Sequence, residues 1–424
     1  MGQESGKRYD LRLCCMAGML AAVVASCMSF DNERSVAMDR QPHENETANP
    51  DHLTIFLAGD VMTGRGIDQI LPHPSEPVIH EPYVKNAFKY VHIAERASGP
   101  IPWPVDWPYI WGDALGELAR LAPDVRMINL ETSVTASDDF WPHKGINYRM
   151  HPDNIAVLTA ADIDYCSLAN NHTIDWGYQG LLETLEVLAQ AGIQSAGAGR
   201  NLQEAEQPAV LPVTGKGRVL AFSYGMPSSG IPAEWAAGED KAGVNLLAEL
   251  SDHAVRDIGD KIRALRRPDD IVVLSIHWGG NWGYRISPKY RTFAHMLIDR
   301  AGVDIIHGHS SHHALGLEVY RDRPIIYGCG DFLNDYEGIG GNEEYRGDLG
   351  LMYFATMEPA SGKLVRLQLI PTRIKHFKVN RASADDAGWL QKVLTRESKA
   401  WGVRIEVKGD QSFAVRWEQS AGGR

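Results

Sequence analysis

Short apolar runs recur along the chain, and each ends on polar residues. Thr54–Ala58 leads into Gly59-Asp60, Val125–Leu130 into Glu131, and Tyr165–Ala169 into Asn170-Asn171-His172. Further on, Ile271–Ile276 leads into His277, and Val303–Ile306 into His307-Gly308-His309. Runs of this length predict buried strands with a polar residue at each carboxyl end. Helical periodicity separates them. Tyr178–Ala191 sets Leu181, Leu182, Leu185, Leu188 and Ala189 on one face and stops at Gly192. Ser287–Ala301 is a second such segment, closed by Gly302. Strands alternating with helices predict an α/β fold with parallel βαβ units, in which ligands gather beyond the carboxyl ends of strands.

The later part of the chain changes character. Val210–Tyr224, Leu317–Tyr327, Leu351–Met357 and Leu364–Ile370 are strand-like and joined by turns such as Thr214-Gly215-Lys216-Gly217 and Ala360-Ser361-Gly362-Lys363. They predict a second sheet packed on the first. A helix from about Ala384 to Trp401, capped by Ser383 and stopped by Gly402, and a hairpin around Lys408-Gly409-Asp410 complete a C-terminal extension over 375–424. The main domain is expected over 52–424. One segment, 71–111, is rich in proline and tryptophan and too long for a simple connection. It directly follows the first polar strand end, so it reads as either a lid that shapes a substrate site, the favoured expectation, or an add-on with its own packing.

The N-terminus reads as an address. Lys7, Arg8 and Arg12 precede an apolar run from Leu13 to Val24, which is too short to span a bilayer as a mature helix. Val24-Ala25-Ser26-Cys27 looks like a bacterial lipobox. This predicts a lipoprotein signal peptide over 1–26 and lipidation of Cys27. Residues 27–51 are polar and read as a flexible tether. The expected location is extracytoplasmic, lipid-anchored to a bacterial membrane.

Composition adds limits. The 424 residues are 44% hydrophobic and 23% charged, as in a globular protein, with a formal charge of −12. That charge argues against nucleic acid as a partner, since phosphate backbones are gripped by clustered Lys and Arg. An anionic substrate stays open, because bound metal ions invert the local field. Cys166 and Cys329 have no paired spacing and read as buried free thiols.

Set side by side, the strand ends supply Asp60, Glu131, Asn171, His277, His309 and His312. Carboxylates, an amide oxygen and imidazoles together suit two divalent ions of the manganese, iron or zinc class. Such a pair activates water near neutral pH and clamps the oxygens of a phosphoryl or tetrahedral transition state. Glu131 is a candidate bridge between the ions. His172 is the candidate catalytic acid, able to protonate a leaving group. Arg65 and Arg149 are candidates to hold an anionic substrate group, because an arginine fork matches carboxylate and phosphate. Asp175 reads equally as a cap or as a partner of the site. Asp331 and Asn334 read as rim residues, not as ligands. Trp278 and Trp282 either line the site or pack beside it.

Five motifs carry a resemblance. Gly59-Asp60-Val61-Met62-Thr63-Gly64-Arg65, Asn129-Leu130-Glu131-Thr132, Ala169-Asn170-Asn171-His172, His277-Trp278-Gly279 and Gly308-His309-Ser310-Ser311-His312 look like the ordered motifs of CapA-type capsule-synthesis (poly-γ-glutamate biosynthesis) proteins. That family in turn resembles the calcineurin-like metallophosphoesterase superfamily. The resemblance implies a four-layer α/β/β/α sandwich, two mixed sheets flanked by helices, with a dinuclear metal site between loops. It implies an anionic polymer or phosphoester substrate and a membrane-bound capsule-synthesis complex as partner. The activity it implies is metal-dependent hydrolysis of a phosphoester or a polymer amide, or else a non-catalytic role binding metal and polyanion. The chain departs from the superfamily in three places. Met62 stands where a metal-binding histidine is usual, the bridging acid is Glu131 in place of Asp, and two residues separate His309 from His312. His313 follows at once as an alternative ligand, and the motif favours His312.

Overall fold

The computed structural model describes residues 51–418. The predicted signal peptide, Cys27 and the tether up to residue 50 lie outside the described residues. Among the described residues, no helix is long and apolar enough to cross a membrane.

Two large sheets form the centre of the molecule. The ten-stranded sheet runs in the order Arg404–Val407, Phe413–Arg416, Lys363–Ile374, Leu349–Glu358, Leu53–Val61, Val125–Leu130, Tyr165–Ser167, Gln194–Ala196. Asp331–Leu333 pairs with Leu53–Val61, and Val379–Arg381 pairs with Lys363–Ile374. The six-stranded sheet runs Leu317–Tyr320, Arg323–Ile326, Ile305–His309, Asp270–His277, Gly217–Gly225, Ala209–Val213. Both sheets mix parallel and antiparallel pairs.

The alternation of side chains along each strand explains the layering. In Leu53–Val61, Leu53, Ile55 and Leu57 face the other sheet, while Phe56, Ala58 and Val61 face helices. In Asp270–His277, Ile271 and Val273 join that inter-sheet core, while Val272, Leu274 and Ile276 pack under Asp252–Leu265 and Pro288–Met296. A strand covered on both faces is apolar throughout, which is why these runs stand out in the sequence. The result is a four-layer α/β/β/α sandwich, as expected.

Two expectations need correction. The later strands do not form a sheet of their own. Leu349–Glu358 pairs antiparallel with Leu53–Val61 in the larger sheet, whereas the Ile271 and Ile305 runs build the smaller one. Strand pairing over such distances leaves no local trace in a sequence. The 71–111 segment is a packed addition more than a lid. It contributes the helix Phe88–Ser98 and buries Ile101, Val105, Ile110 and Trp111 in the helix-covered core. The Trp111 indole N–H donates to the carbonyl of Val157 at 2.7 Å.

The C-terminal reading holds. Ser383 caps Ala384–Ser398 by accepting the Asp386 N–H, and Arg404–Val407 pairs antiparallel with Phe413–Arg416. Helix Gly177–Gln190 and its stop at Gly192, φ 77°, also match the pattern.

Candidate metal centre

Parallel register brings the polar strand ends together. His277 lies opposite His309 in the smaller sheet. In the larger sheet Asp60 lies opposite Asn129 on one side and Asp331 on the other. Gly59 permits the second approach, since a Cβ there would meet the Gly330 carbonyl oxygen at 1.8 Å. Ser310, at φ 102°, takes a backbone conformation costly for a side chain, and its N–H points to Asp60 Oδ2 at 3.3 Å.

Two groups of metal-ligand type result, Asp60 with His277 and His309, and Asp60 with His312 and Asp331. In each, the ligand atoms lie within 4.8 Å of one another. Asp60 is common to both. Glu131, predicted as the bridge, stands beside the first group, its Oε1 3.9 Å from His277 Nε2 and 3.9 Å from His172 Nε2. Asn171 Oδ1 is 3.0 Å from His277 Nε2. His313 faces away, accepting the Gly283 N–H and stacking on Tyr345, so geometry also favours His312.

The donor set fits a cation. His277 Nδ1 and His309 Nδ1 are 2.7 Å apart, and His312 Nδ1 is 2.9 Å from Asp331 Oδ1. Atoms that can each offer a lone pair come this close only around a shared proton or a shared cation. His309 Nε2 is buried with no hydrogen-bond partner, an orphan that a metal would satisfy. Charge points the same way. Burial, then the neighbouring Asp331, pushes the Asp60 carboxyl up to about 7. Burial, then Asp60 and Asp331, lifts Glu131 well above the usual carboxylate range. Burial holds His277 and His309 well below the usual imidazole range. For His312 burial acts against the charged form, but Asp331 and Asp60 outweigh it and the net shift is upward. Buried carboxyls resist ionising together unless a positive charge lies among them.

Around this centre several side chains serve as supports. Asn129 Nδ2 donates to Asp60 Oδ1 at 2.7 Å, and Asn170 Nδ2 donates to Asn129 Oδ1 at 3.1 Å. Asn334 Nδ2 donates to Asp331 Oδ2 at 2.6 Å. His172 Nδ1 is 2.6 Å from Asp175 Oδ2, which decides Asp175 as a partner of the site. That carboxylate also accepts the Tyr148 N–H and pairs with Lys144 at 2.6 Å. Burial lowers His172 to about 4, against the pull of Asp175. Trp278 is buried packing, its indole N–H donating to the Tyr327 carbonyl, while the Trp282 ring stands 5.4 Å from His312.

The structure gives both predicted arginines internal partners. Arg65 donates through Nε and Nη2 to Asp335 and through Nη1 to Glu81 at 2.9 Å, and its guanidinium lies 3.8 Å over Tyr90. Arg149 donates to the Ser137 carbonyl and Asp138 and lies 3.8 Å over Trp176. Both are buried and bonded within the protein, Arg65 through all three guanidinium nitrogens and Arg149 chiefly through Nη1. The cation that does stand beside His172 is Lys144, at 3.0 Å from Nδ1. Lys144 sits in a Gly/Pro-containing loop with no motif around it. Asp331 was also missed as a site residue, and its only sequence signal was a Gly-Asp pair at a strand edge, repeating the pattern of Gly59-Asp60.

A family model described as "Bacterial capsule synthesis protein PGA_cap" matches residues 54–336, the stretch that carries every one of these strand ends. The chain belongs to this family. Among PGA_cap relatives, a "Probable polyglutamine synthesis accessory protein" of Mycobacterium tuberculosis is 49% identical over 371 residues, covering 87% of this chain and 97% of the relative. A "PGA biosynthesis protein CapA" of Bacillus subtilis is 26% identical, covering 68% of this chain and 65% of the relative. A "Capsule biosynthesis protein CapA" of Bacillus anthracis is 22% identical, covering 78% and 70%. The resemblance read from the motifs is therefore correct at family level, and the PGA_cap match ends at Tyr336, just past Asp331.

Proposed function

We propose that this PGA_cap protein serves capsule or poly-γ-glutamate synthesis as a metal-dependent hydrolase of a phosphoester, or of an amide in the polymer or its carrier. The observation that carries the reading is the pair of Asp/His groups sharing Asp60, with His309 Nε2 buried and bare between the sheets. Asp60, Asn171, His277, His309 and His312, with Glu131 alongside, would hold two divalent ions of the manganese, iron or zinc class. Such ions supply activated water and a clamp for the oxygens of the reacting group.

The chain's own residues do the rest. Asp175 accepts the Nδ1 proton of His172 and so fixes the ring, leaving Nε2 on the side of Glu131. In this reading the doubly protonated ring, the form that Asp175 favours and burial resists, delivers its Nε2 proton to the leaving group and is left neutral with its proton on Nδ1. Lys144, held against Asp175, brings positive charge beside that proton. In this reading the substrate is an anionic polymer or phosphoester met at this centre, where bound cations would offset the chain's formal charge of −12. We further propose export, lipidation at Cys27 and work beside a membrane-bound synthesis complex, on the strength of the N-terminal pattern and the family.

The test is metal analysis of the purified protein, followed by turnover assays on generic phosphoesters and γ-glutamyl peptides. His172→Ala is expected to lower turnover by about 10²–10⁴-fold with metal content unchanged. Full activity in that variant removes His172 from the mechanism. A second reading, a non-catalytic accessory that binds metal and polyanion, is favoured by Met62, which is buried at the superfamily's histidine position and accepts the Gly64 N–H through its sulfur. Metal binding with no turnover on either substrate class selects that reading.

A further inference from the structure

We propose that Asp331 is a metal ligand that fills the coordination place left open by Met62. This rests on the two-ion reading above and deepens it. In the superfamily pattern the position of Met62 carries an imidazole. Here a thioether stands there, a soft donor that suits manganese, iron or zinc poorly beside carboxylate and imidazole.

Asp331 comes to Asp60 from another element, on the segment that runs beside Met62. The strand Asp331–Leu333 lies parallel to Leu53–Val61 with Asp331 opposite Asp60 and Leu333 opposite Val61. Met62 N–H donates to the Leu333 carbonyl at 2.9 Å, so the two segments run together through the site. The Asp331 carboxylate is 2% exposed. Its Oδ1 meets His312 Nδ1, and its Oδ2 is fixed by Asn334. With Asp60 and His312 it makes a compact group of two carboxylates and one imidazole, the hard oxygen-and-nitrogen set these ions favour. Among the described residues no arginine or lysine is ion-paired with its two acids, and His312 is their one cationic partner in the group. The simpler role for Asp331 is to orient His312 from behind, as carboxylates often do for ligating histidines. Its place beside Asp60, within ligand distance of it as well as of His312, argues for direct ligation.

Metal content separates these roles. The full chain is loaded with Mn²⁺, dialysed and analysed for manganese per chain, with circular dichroism as a check on folding. Wild type is expected to hold two ions and Asp331→Asn one, with the lost ion weakened by more than about 100-fold, beyond the about 10–100-fold typical of a lost orienting partner. The double variant Asp331→Asn with Met62→His is expected to regain the second ion. Two ions retained in Asp331→Asn overturn the assignment. So does a lost ion that Met62→His fails to restore, since an imidazole at Met62 replaces a ligand but not an orienting group. Should Asp331→Asn not fold, Met62→His alone is read instead. With Asp331 already in that place it is expected to bind the second ion no more tightly than wild type, and markedly tighter binding, the mark of a vacant place, overturns the assignment. A wild type that takes up no manganese ends the two-ion reading itself and this inference with it.

Discussion

Two regions of the molecule bury carboxylates, and they solve the problem in opposite ways. Glu318, 4% exposed, accepts from Arg291 at 3.0 and 3.1 Å, from His295 at 3.0 Å and from the Tyr327 hydroxyl at 2.9 Å. Burial alone would raise its pKa, but these donors outweigh burial and hold it at about 2. At the strand ends, Asp60 and Glu131 are equally buried; among the described residues neither carboxylate is ion-paired with an arginine or lysine, Lys144 only partly offsets burial at Glu131, and both pKa values are raised. The first acid is a closed structural unit. The second pair is incomplete within the protein and calls for a cation from outside. Burial of an acid therefore says little until its positive partners are counted.

The contrast is broken most directly at Asp60. Asp60→Asn removes the side chain common to both ligand groups, so manganese uptake should fall from two ions to nearly none. The same change removes a repelled buried acid, so the metal-free variant should melt higher than metal-free wild type. A drop in melting temperature would mean that Asp60 already has a stabilising partner in the protein. Glu318→Gln should do the reverse, leaving metal content unchanged. It weakens the charge-assisted bonds from Arg291, whose half-exposed side chain can be hydrated instead, and should cost about 2 kcal/mol of stability, read by urea denaturation. A loss below about 1 kcal/mol would place Glu318 among ordinary surface pairs.

The same comparison shows what the sequence made legible. Asp60, His277 and His309 were readable because each ends an apolar strand, and a doubly covered strand announces itself as an unbroken apolar run. Helix Gly177–Gln190 was readable from its period. Asp331 was not, because its strand is only three residues long and follows Gly328-Cys329-Gly330, where no apolar run builds up. Its meaning comes from pairing with a strand far away in sequence. The pairing of Arg65 was hidden for the same reason. Its partner Asp335 lies 270 residues on, and a guanidinium looks free in a sequence when its carboxylate is remote. Local pattern found the elements and the residues at their tips. It could not find which tips neutralise one another, since that depends on sheet order.

The smallest effect expected is on pH dependence, and it carries the sign of each region. A carboxyl held at about 2 in the fold against an ordinary 4.5 stabilises the protein above its unfolded pKa, and that contribution fades as pH falls through 4.5 toward 2. A carboxyl raised from 3.8 to about 7 works the other way. Between those values the folded chain holds a proton that the unfolded chain has released, so stability declines as pH rises from about 4 to about 7. Histidines held neutral in the fold oppose this, since they add stability as pH rises toward 6.5. The Asp60 contribution is therefore read by difference. Between pH 5 and pH 7, metal-free Asp60→Asn should lose less melting temperature, or gain more, than metal-free wild type, and that difference is Asp60's contribution. Saturating Mn²⁺ should reverse the sign of that difference, because a cation favours the ionised carboxylates and binds only where they are ionised. If the difference is the same with and without manganese, the raised carboxyls are not where the metal binds, and the two regions differ for some other reason than a missing cation.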